Sequence, residues 1–364
     1  MAGMRWDIFC KVIDNFGDVG VCWRLSADLA RRGQQVRLWL DDPQALAWMA
    51  PGAVDGDVPG IEVFHWTTSL QGLVAGLPMA DVWIEAFGGD PPAEWVDALG
   101  RHSRRGERPP VWINLEYLSA EPYVERSHRL PSPVMSGPAR GATKWFFYPG
   151  FTERTGGLLR EDNLLARQAA FDASAWLAGR TLPARDAAWK VCLFCYEPAA
   201  LGDVLRQASG AATHSEWLIT PGRAWQAVQG LPGALGAAAR PHALPALTQH
   251  DFDHLLWACD LNFVRGEDSL VRALWAGQAF VWQIYPQHDN AHHAKLAAFL
   301  DWLEAPDSLR DFHRAWNGID ATPTRWPDRS TLAQWRECTL EARRRLLLQP
   351  DLSSQLIGFV LEKR

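Results

Sequence analysis

The chain predicts an α/β protein of two doubly wound domains, and three observations carry that prediction. Short apolar runs recur, each ending at a polar or glycine-containing loop and most followed by a helical stretch, which is the alternation of a parallel sheet. The alternation comes as two series, separated by an Ala- and Arg-rich helical stretch over 161–188. At 364 residues the chain also exceeds what one hydrophobic core usually serves. Two such domains facing each other across a cleft are the expected architecture, because ligands of open parallel sheets sit at the carboxyl ends of the strands.

The first series opens with Trp6-Asp7-Ile8-Phe9-Cys10-Lys11-Val12-Ile13, an apolar strand pattern. It breaks at Asp14-Asn15-Phe16-Gly17-Asp18-Val19-Gly20, resumes helically to Gly33, and returns as the strand Gln35–Leu40. That is a complete β-α-β unit. Its glycines do not form G-x-G-x-x-G, so no dinucleotide is implied. The loop instead carries Asp14 and Asp18 beside a helix N-terminus, and two readings stand. Asp18 caps the helix while Asp14 closes an Asx turn, or the two form a paired carboxylate site whose charge the helix dipole favours. Runs at 80–87 and 110–118 continue the series, and Glu116-Tyr117-Leu118-Ser119-Ala120-Glu121-Pro122-Tyr123 is expected on the same edge of the sheet. The aromatic run at 145–151 leads into Thr155-Gly156-Gly157, a turn or a lid.

The second series starts at Lys190–Tyr196, continues through Glu216–Pro221, passes a weakly patterned loop over 229–239, and reaches its most informative part at 261–300. There Leu261–Val264 reads as a buried strand, a helix starts at Asp268 or Ser269 and stops at Gly277, and Phe280–Tyr285 is the next strand. Ser269 and unpaired backbone N–H groups at that helix start suit a phosphate, with Arg265 and Arg272 flanking it. The plain alternative is a capped helix with Arg272 as a solvated residue. Residues 331–364 read as helical with a charged face.

Composition excludes several classes. Apolar residues at 48% and charged residues at 21% describe a soluble globular chain. The net charge of −6 argues against binding nucleic acid by phosphate neutralisation. No apolar run approaches the ~18 residues that span a bilayer. Six scattered cysteines and a start without secretory character imply a cytoplasmic protein with reduced thiols. Cys192-Leu193-Phe194-Cys195 lacks a second pair and lies in a strand, so no metal is expected there. His288 and His292 have helical i, i+4 spacing without the intervening glutamate of a zinc protease. Twenty tryptophans mean either core packing or ring stacking on a ligand.

Several stretches together resemble one family. Asp14-Asn15-Phe16-Gly17-Asp18-Val19-Gly20-Val21-Cys22-Trp23-Arg24-Leu25 is similar to the opening signature of the elongation factor P arginine rhamnosyltransferases, the EarP type. Asn262-Phe263-Val264-Arg265-Gly266-Glu267-Asp268-Ser269-Leu270-Val271-Arg272 resembles its second signature, with Phe194-x-Tyr196-Glu197-Pro198 and Ile284-Tyr285-Pro286-Gln287 as further matches. The resemblance implies an inverting glycosyltransferase of GT-B architecture, two facing Rossmann-like domains that move L-rhamnose from dTDP-β-L-rhamnose to an arginine of elongation factor P. It implies an acceptor domain over 1–180, a nucleotide-sugar domain over 181–340, and a helix over 341–364 packing back toward the first domain. Asp14, Asp18 and Glu267 fall on catalytic positions. Asn15, Phe16, Gly17, Phe194, Tyr196, Gln249, Arg265, Glu267, Asp268, Ser269 and Tyr285 fall on the donor site, with no cofactor and no metal. One departure is Ala246-Leu247-Thr248 before Gln249, where the family carries an aromatic for the thymine. That leaves Phe194, Phe252 or backbone contacts for base recognition. Two other functions fit the same fold: a GT-B transferase for a small-molecule or lipid acceptor, and a non-catalytic nucleotide-sugar-binding module.

Overall fold

The computed structural model describes residues 3–11, 16–66, 71–182, 188–231, 233–236, 238–286, 291–320 and 325–364. The chain divides into two compact units, Met1–Asp162 with Gln349–Arg364, and Asn163–Leu348.

The first unit runs β1 (Arg5–Cys10), α1 (Gly17–Arg31), β2 (Gln35–Leu40), α2 (Leu46–Met49), β3 (Ile61–His65), α3 (Gln71–Gly76), β4 (Val82–Ala86), α4 (Ala93–Arg104), β5 (Val111–Leu115), α5 (Pro122–Ser127), β6 (Pro131–Pro133) and β7 (Thr143–Phe147). Its sheet has the order β3-β2-β1-β4-β5-β7-β6, all parallel except β6 against β7. The strands are apolar almost throughout because helices cover both faces. On one face Leu352, Leu356, Phe359 and Val360 from the C-terminal helix join Ile8, Leu25 and Ile84. On the other, Phe9, Trp39, Trp83, Trp95 and Trp112 pack edge to face and stacked. The tryptophan excess is therefore largely core. Asp7, fully buried beneath this layer, is held by two bonds from Arg37 (2.6 and 2.7 Å) and one from the Trp39 indole (3.1 Å).

The second unit runs α6 (Leu164–Ala169), α7 (Ala173–Ala178), β8 (Trp189–Leu193), α8 (Leu201–Ser209), β9 (Ser215–Ile219), α9 (Arg223–Gln229), β10 (Ala239–Ala243), α10 (Gln249–Ala258), β11 (Leu261–Arg265), α11 (Gly266–Ala276), β12 (Ala279–Gln283), α12 (Ala291–Leu303), α13 (Asp307–Trp316) and α14 (Arg329–Leu347). Its sheet is wholly parallel, in the order β10-β9-β8-β11-β12. The chain ends in α15 (Leu352–Lys363), which belongs to the first unit.

Three sequence expectations change. The segment over 163–180, read as part of the first domain, belongs to the second unit: Phe171 stacks on His254 at 4.9 Å, and Arg180 pairs with Asp251 at 2.5 Å. The helical tail is two helices, interrupted at Pro350, which cannot continue a helix; α15 is then tied to α1 through Arg32, Asp351 (2.9 Å) and Ser354 (2.6 Å). After the stretch over 229–239, read as loop, comes β10, an edge strand the pattern does not show because Pro241 interrupts it.

Candidate functional site

Both sheets place the first strand of their series next to the fourth, so β1–β4 and β8–β11 are topological switch points, where doubly wound sheets open a crevice at the strands' carboxyl ends. In the second unit the loops at that edge converge. Phe194, Cys195 and Tyr196 follow β8, Arg265 ends β11, and Gln283 ends β12 in register with Arg265. Phe194 N–H donates to the Phe263 carbonyl (3.0 Å) and Tyr196 N–H to Gln283 Oε1 (2.8 Å), which fixes the β8 loop against its neighbours.

The Arg265 guanidinium lies over both rings of that loop, 4.4 Å from Phe194 and 4.6 Å from Tyr196, and donates to the Cys195 carbonyl (3.0 Å). Burial works against its charge and lowers its pKa from the usual arginine range. Among the described residues no carboxylate forms an ion pair with it. A half-buried cation held flat on aromatic rings and lacking an anion is a seat for one. Tyr285 meets Tyr196 edge to face at 5.6 Å, and Phe252 meets Phe194 at 5.3 Å, extending the aromatic wall. Burial pushes the Tyr196 hydroxyl up to about 12, so it is a hydrogen-bond donor at neutral pH.

The helix after β11 starts at Gly266, earlier than the residue pattern indicated. Gly266 turns the chain with φ +68, a conformation side chains resist, and its carbonyl accepts from the Trp282 indole (2.8 Å). Arg265 N–H donates to Ser269 Oγ (3.0 Å), whose hydroxyl donates back to the Arg265 carbonyl. Ser269 thus closes the first turn of α11. Glu267 pairs with Lys295 at 2.5 Å, and Asp268 lies in the same turn. Gln249 opens α10, whose N-cap is Thr248 accepting from Asp251 N–H (3.0 Å).

Arg272 does not join this group. Its side chain is 1% exposed and clamps Asp253 with two bonds (2.8 and 2.7 Å), a buried pair between α10 and α11 that also draws in Arg167 (3.5 Å). The reading of Arg272 as a diphosphate cation is corrected accordingly. Sequence reasoning missed Gln283, Lys295 and Arg223. Arg223, at the start of α9, lies 5.7 Å above Tyr196 and 4.0 Å from Glu197. A Gly-Arg pair just past a strand end was the available signal for it; Lys295 had none.

In the first unit, Asp14 and Asn15 lie outside the described residues. Phe16 precedes α1 as its N-cap residue without a side-chain cap bond; Gly17 begins the helix and Asp18 occupies its first turn. Asp18 is therefore not the capping residue, and its carboxylate lies where the helix dipole favours negative charge. Phe16 is exposed and meets Trp48 edge to face at 6.2 Å. Behind this loop, Gly89 approaches the Lys11 backbone so closely that a Cβ would lie 3.1 Å from its N. The loop after β4 thereby packs on the loop after β1. Cys10 and Cys22 are buried below, and their mutual hydrogen bond and burial raise the Cys22 thiol well above its usual range. Cys192 and Cys195 are likewise buried, burial pushing Cys195 up to about 12.

Among the described residues no group of three or more His, Cys, Asp or Glu is placed to hold a metal ion. His288 lies outside them, and His292 is buried on α12. No described helix is long and apolar enough to cross a membrane.

Comparison with known proteins matches residues 6–361 to the family described as Elongation-Factor P (EF-P) rhamnosyltransferase EarP. A protein-arginine rhamnosyltransferase of Pseudomonas putida is 42% identical, over 97% of this chain and 98% of its own. One from Pseudomonas aeruginosa is 40% identical over the same shares. A solved structure described as the structural basis for EarP-mediated arginine glycosylation of translation elongation factor EF-P has a TM-score of 0.65 and 29% identity, covering 99% of this chain and all of its own.

Proposed function

This chain belongs to the EarP family of elongation factor P rhamnosyltransferases, and on that premise we propose that it transfers L-rhamnose from dTDP-β-L-rhamnose to an arginine side chain of elongation factor P, with inversion, in the cytoplasm. The observation that carries the donor half is Arg265, a half-buried cation over Phe194 and Tyr196 with no ion-pairing carboxylate among the described residues, at the switch point of the second sheet. A nucleoside diphosphate supplies the missing anion. Phe194, Phe252 and Tyr285 supply ring faces for the base and sugar, and Gln249 a polar contact.

A guanidinium is a poor nucleophile because its lone pairs are delocalised and its pKa exceeds about 12. A carboxylate that pairs with it localises the charge and accepts the proton released as the N–C bond to the sugar forms. By motif, Asp18 has that role, with Asp14 as its neighbour. As the bond from the anomeric carbon to the diphosphate oxygen breaks, negative charge grows on the leaving dTDP. Arg265 and the N–H groups of α11 stabilise it where it develops, so no step calls for a metal. Glu267, which pairs with Lys295, is assigned to the sugar hydroxyls rather than to the phosphate, which it would repel. Attack on the face opposite the diphosphate gives inversion.

The test is incubation of the purified protein with elongation factor P and dTDP-rhamnose, followed by intact mass and fragmentation. One added deoxyhexose on a single arginine is expected. An unmodified acceptor, or transfer only to a lipid or small molecule, would remove the assignment.

A further inference from the structure

Burial raises the pKa of four described carboxylates above their ordinary range, and three of them carry a cation. Asp7 has Arg37 at 2.6 Å, Asp28 has Arg32 at 2.9 Å, and Glu85 has Lys144 at 2.8 Å. The fourth, Glu116, has none among the described residues. Its carboxylate, half-buried, accepts from Asn114 Nδ2 (2.8 Å) and from the Tyr117 backbone N–H. A half-buried carboxylate for which the described residues supply no cation is a place for a charge from outside.

The surroundings say which charge. Glu116 N–H donates to the Phe147 carbonyl (3.0 Å), joining the ends of β5 and β7 and bringing Tyr148 beside the carboxylate. Tyr148 meets Tyr123 edge to face at 5.8 Å, and Tyr117 stacks on Phe87 at 4.9 Å. Tyr117 and Tyr123 are 40% and 43% exposed. Tyr148 thus lies beside the carboxylate, with Tyr123 against its ring and Tyr117 next along the chain. Phe87 holds φ +55, a strained conformation for an aromatic residue, in presenting its ring to Tyr117. A planar cation that bonds a carboxylate and stacks on rings is a guanidinium.

We propose that Glu116, Tyr117, Tyr123 and Tyr148 form a seat for a second arginine of the acceptor protein, one that anchors the segment carrying the target arginine. β5 is separated from β1 by β4 alone, so two strand spacings, about 10 Å, set the seat beside the loop of Asp18 rather than on it. The seat therefore governs capture of the acceptor and not the reacting guanidinium. This inference rests on the transfer to elongation factor P proposed above.

The test is steady-state transfer with elongation factor P as the varied substrate, together with calorimetric binding of elongation factor P without donor. Glu116→Gln and Tyr117→Ala are each expected to raise the acceptor KM and Kd by about tenfold or more, the loss of one charge-assisted or cation–π contact. Donor KM and the kcat at saturating acceptor stay within a factor of about two, and Glu116→Asp recovers part of the affinity. Weakened binding in these variants supports the seat even if the wild-type protein fails to transfer, which would count only against the proposed reaction. Unchanged acceptor KM and Kd in both variants overturn the seat. So does a loss confined to kcat, which would place Glu116 at the reacting arginine.

Discussion

The two units share a topology and oppose each other in charge. Each sheet sets its first strand beside its fourth, and at the carboxyl edge of each a half-buried ionisable group has no partner of opposite charge among the described residues. In the second unit it is Arg265, laid over Phe194 and Tyr196. In the first it is Glu116, gathered with Tyr117, Tyr123 and Tyr148, while Asp18 stands in the first turn of α1. On the readings proposed above, the same scaffold holds an anion in one copy and a guanidinium in the other. A reaction joining a sugar diphosphate to a guanidinium needs both. On the proposed function, what distinguishes donor from acceptor unit is not fold but the sign of these charges at the sheet's edge.

The largest expected effect breaks the acidic half. Asp18→Asn should lower kcat by about 10²- to 10⁴-fold, the range of a general base, with donor affinity nearly intact by calorimetry. Normal turnover would take Asp18 out of the chemistry.

The next separates Arg265 from Arg272. Asp253→Ala removes both bonds that Arg272 makes to that buried carboxylate and should cost about 3–5 kcal/mol in denaturant unfolding. Should donor affinity collapse while stability stays, Arg272 would return to the phosphate site.

A third concerns pH. His313, fully buried, accepts from Trp282 N–H (3.0 Å) and donates to the Leu309 carbonyl (2.9 Å), and burial lowers its pKa to about 4 from 6.5. The folded state therefore binds fewer protons than the unfolded one between these values. Its stabilising contribution is present above pH 6.5 and is lost as pH falls toward 4, by up to roughly 3 kcal/mol. His128 in the first unit is lowered to about 4 as well, so both halves should weaken over one window. Unfolding of wild type and His313→Gln at several pH values measures the share of His313; equal slopes would refute it.

The smallest sharpens the basic half. Arg265→Lys keeps the charge but loses the planar stacking, and should weaken dTDP-rhamnose binding about tenfold without changing the acceptor KM.

The residue pattern shows the internal strands because a parallel strand covered on both faces must be largely apolar, as β1, β4 and β11 are outside Arg5, Asp7, Glu85, Asn262 and Arg265. It shows the Gly277 stop and the polar loops for the same local reason. The edge strands β3 and β10 did not stand out, since one side of each meets solvent and Glu62, Arg240 and Pro241 interrupt the pattern. The charged side chains show the division most sharply. Arg265 and Arg272 are the same residue in one motif, and nothing local separates a guanidinium laid over aromatic rings from one spent on Asp253. Lys295 reaches Glu267 across a span of 28 residues, and Glu116 stands apart because Asp7 and Glu85 found cations from other strands of the sheet. Backbone class follows from neighbours along the chain, so the sequence by itself determined the alternating α/β series and the motifs at their loops. Which charges are neutralised depends on partners brought from distant positions, and that only the tertiary structure decided.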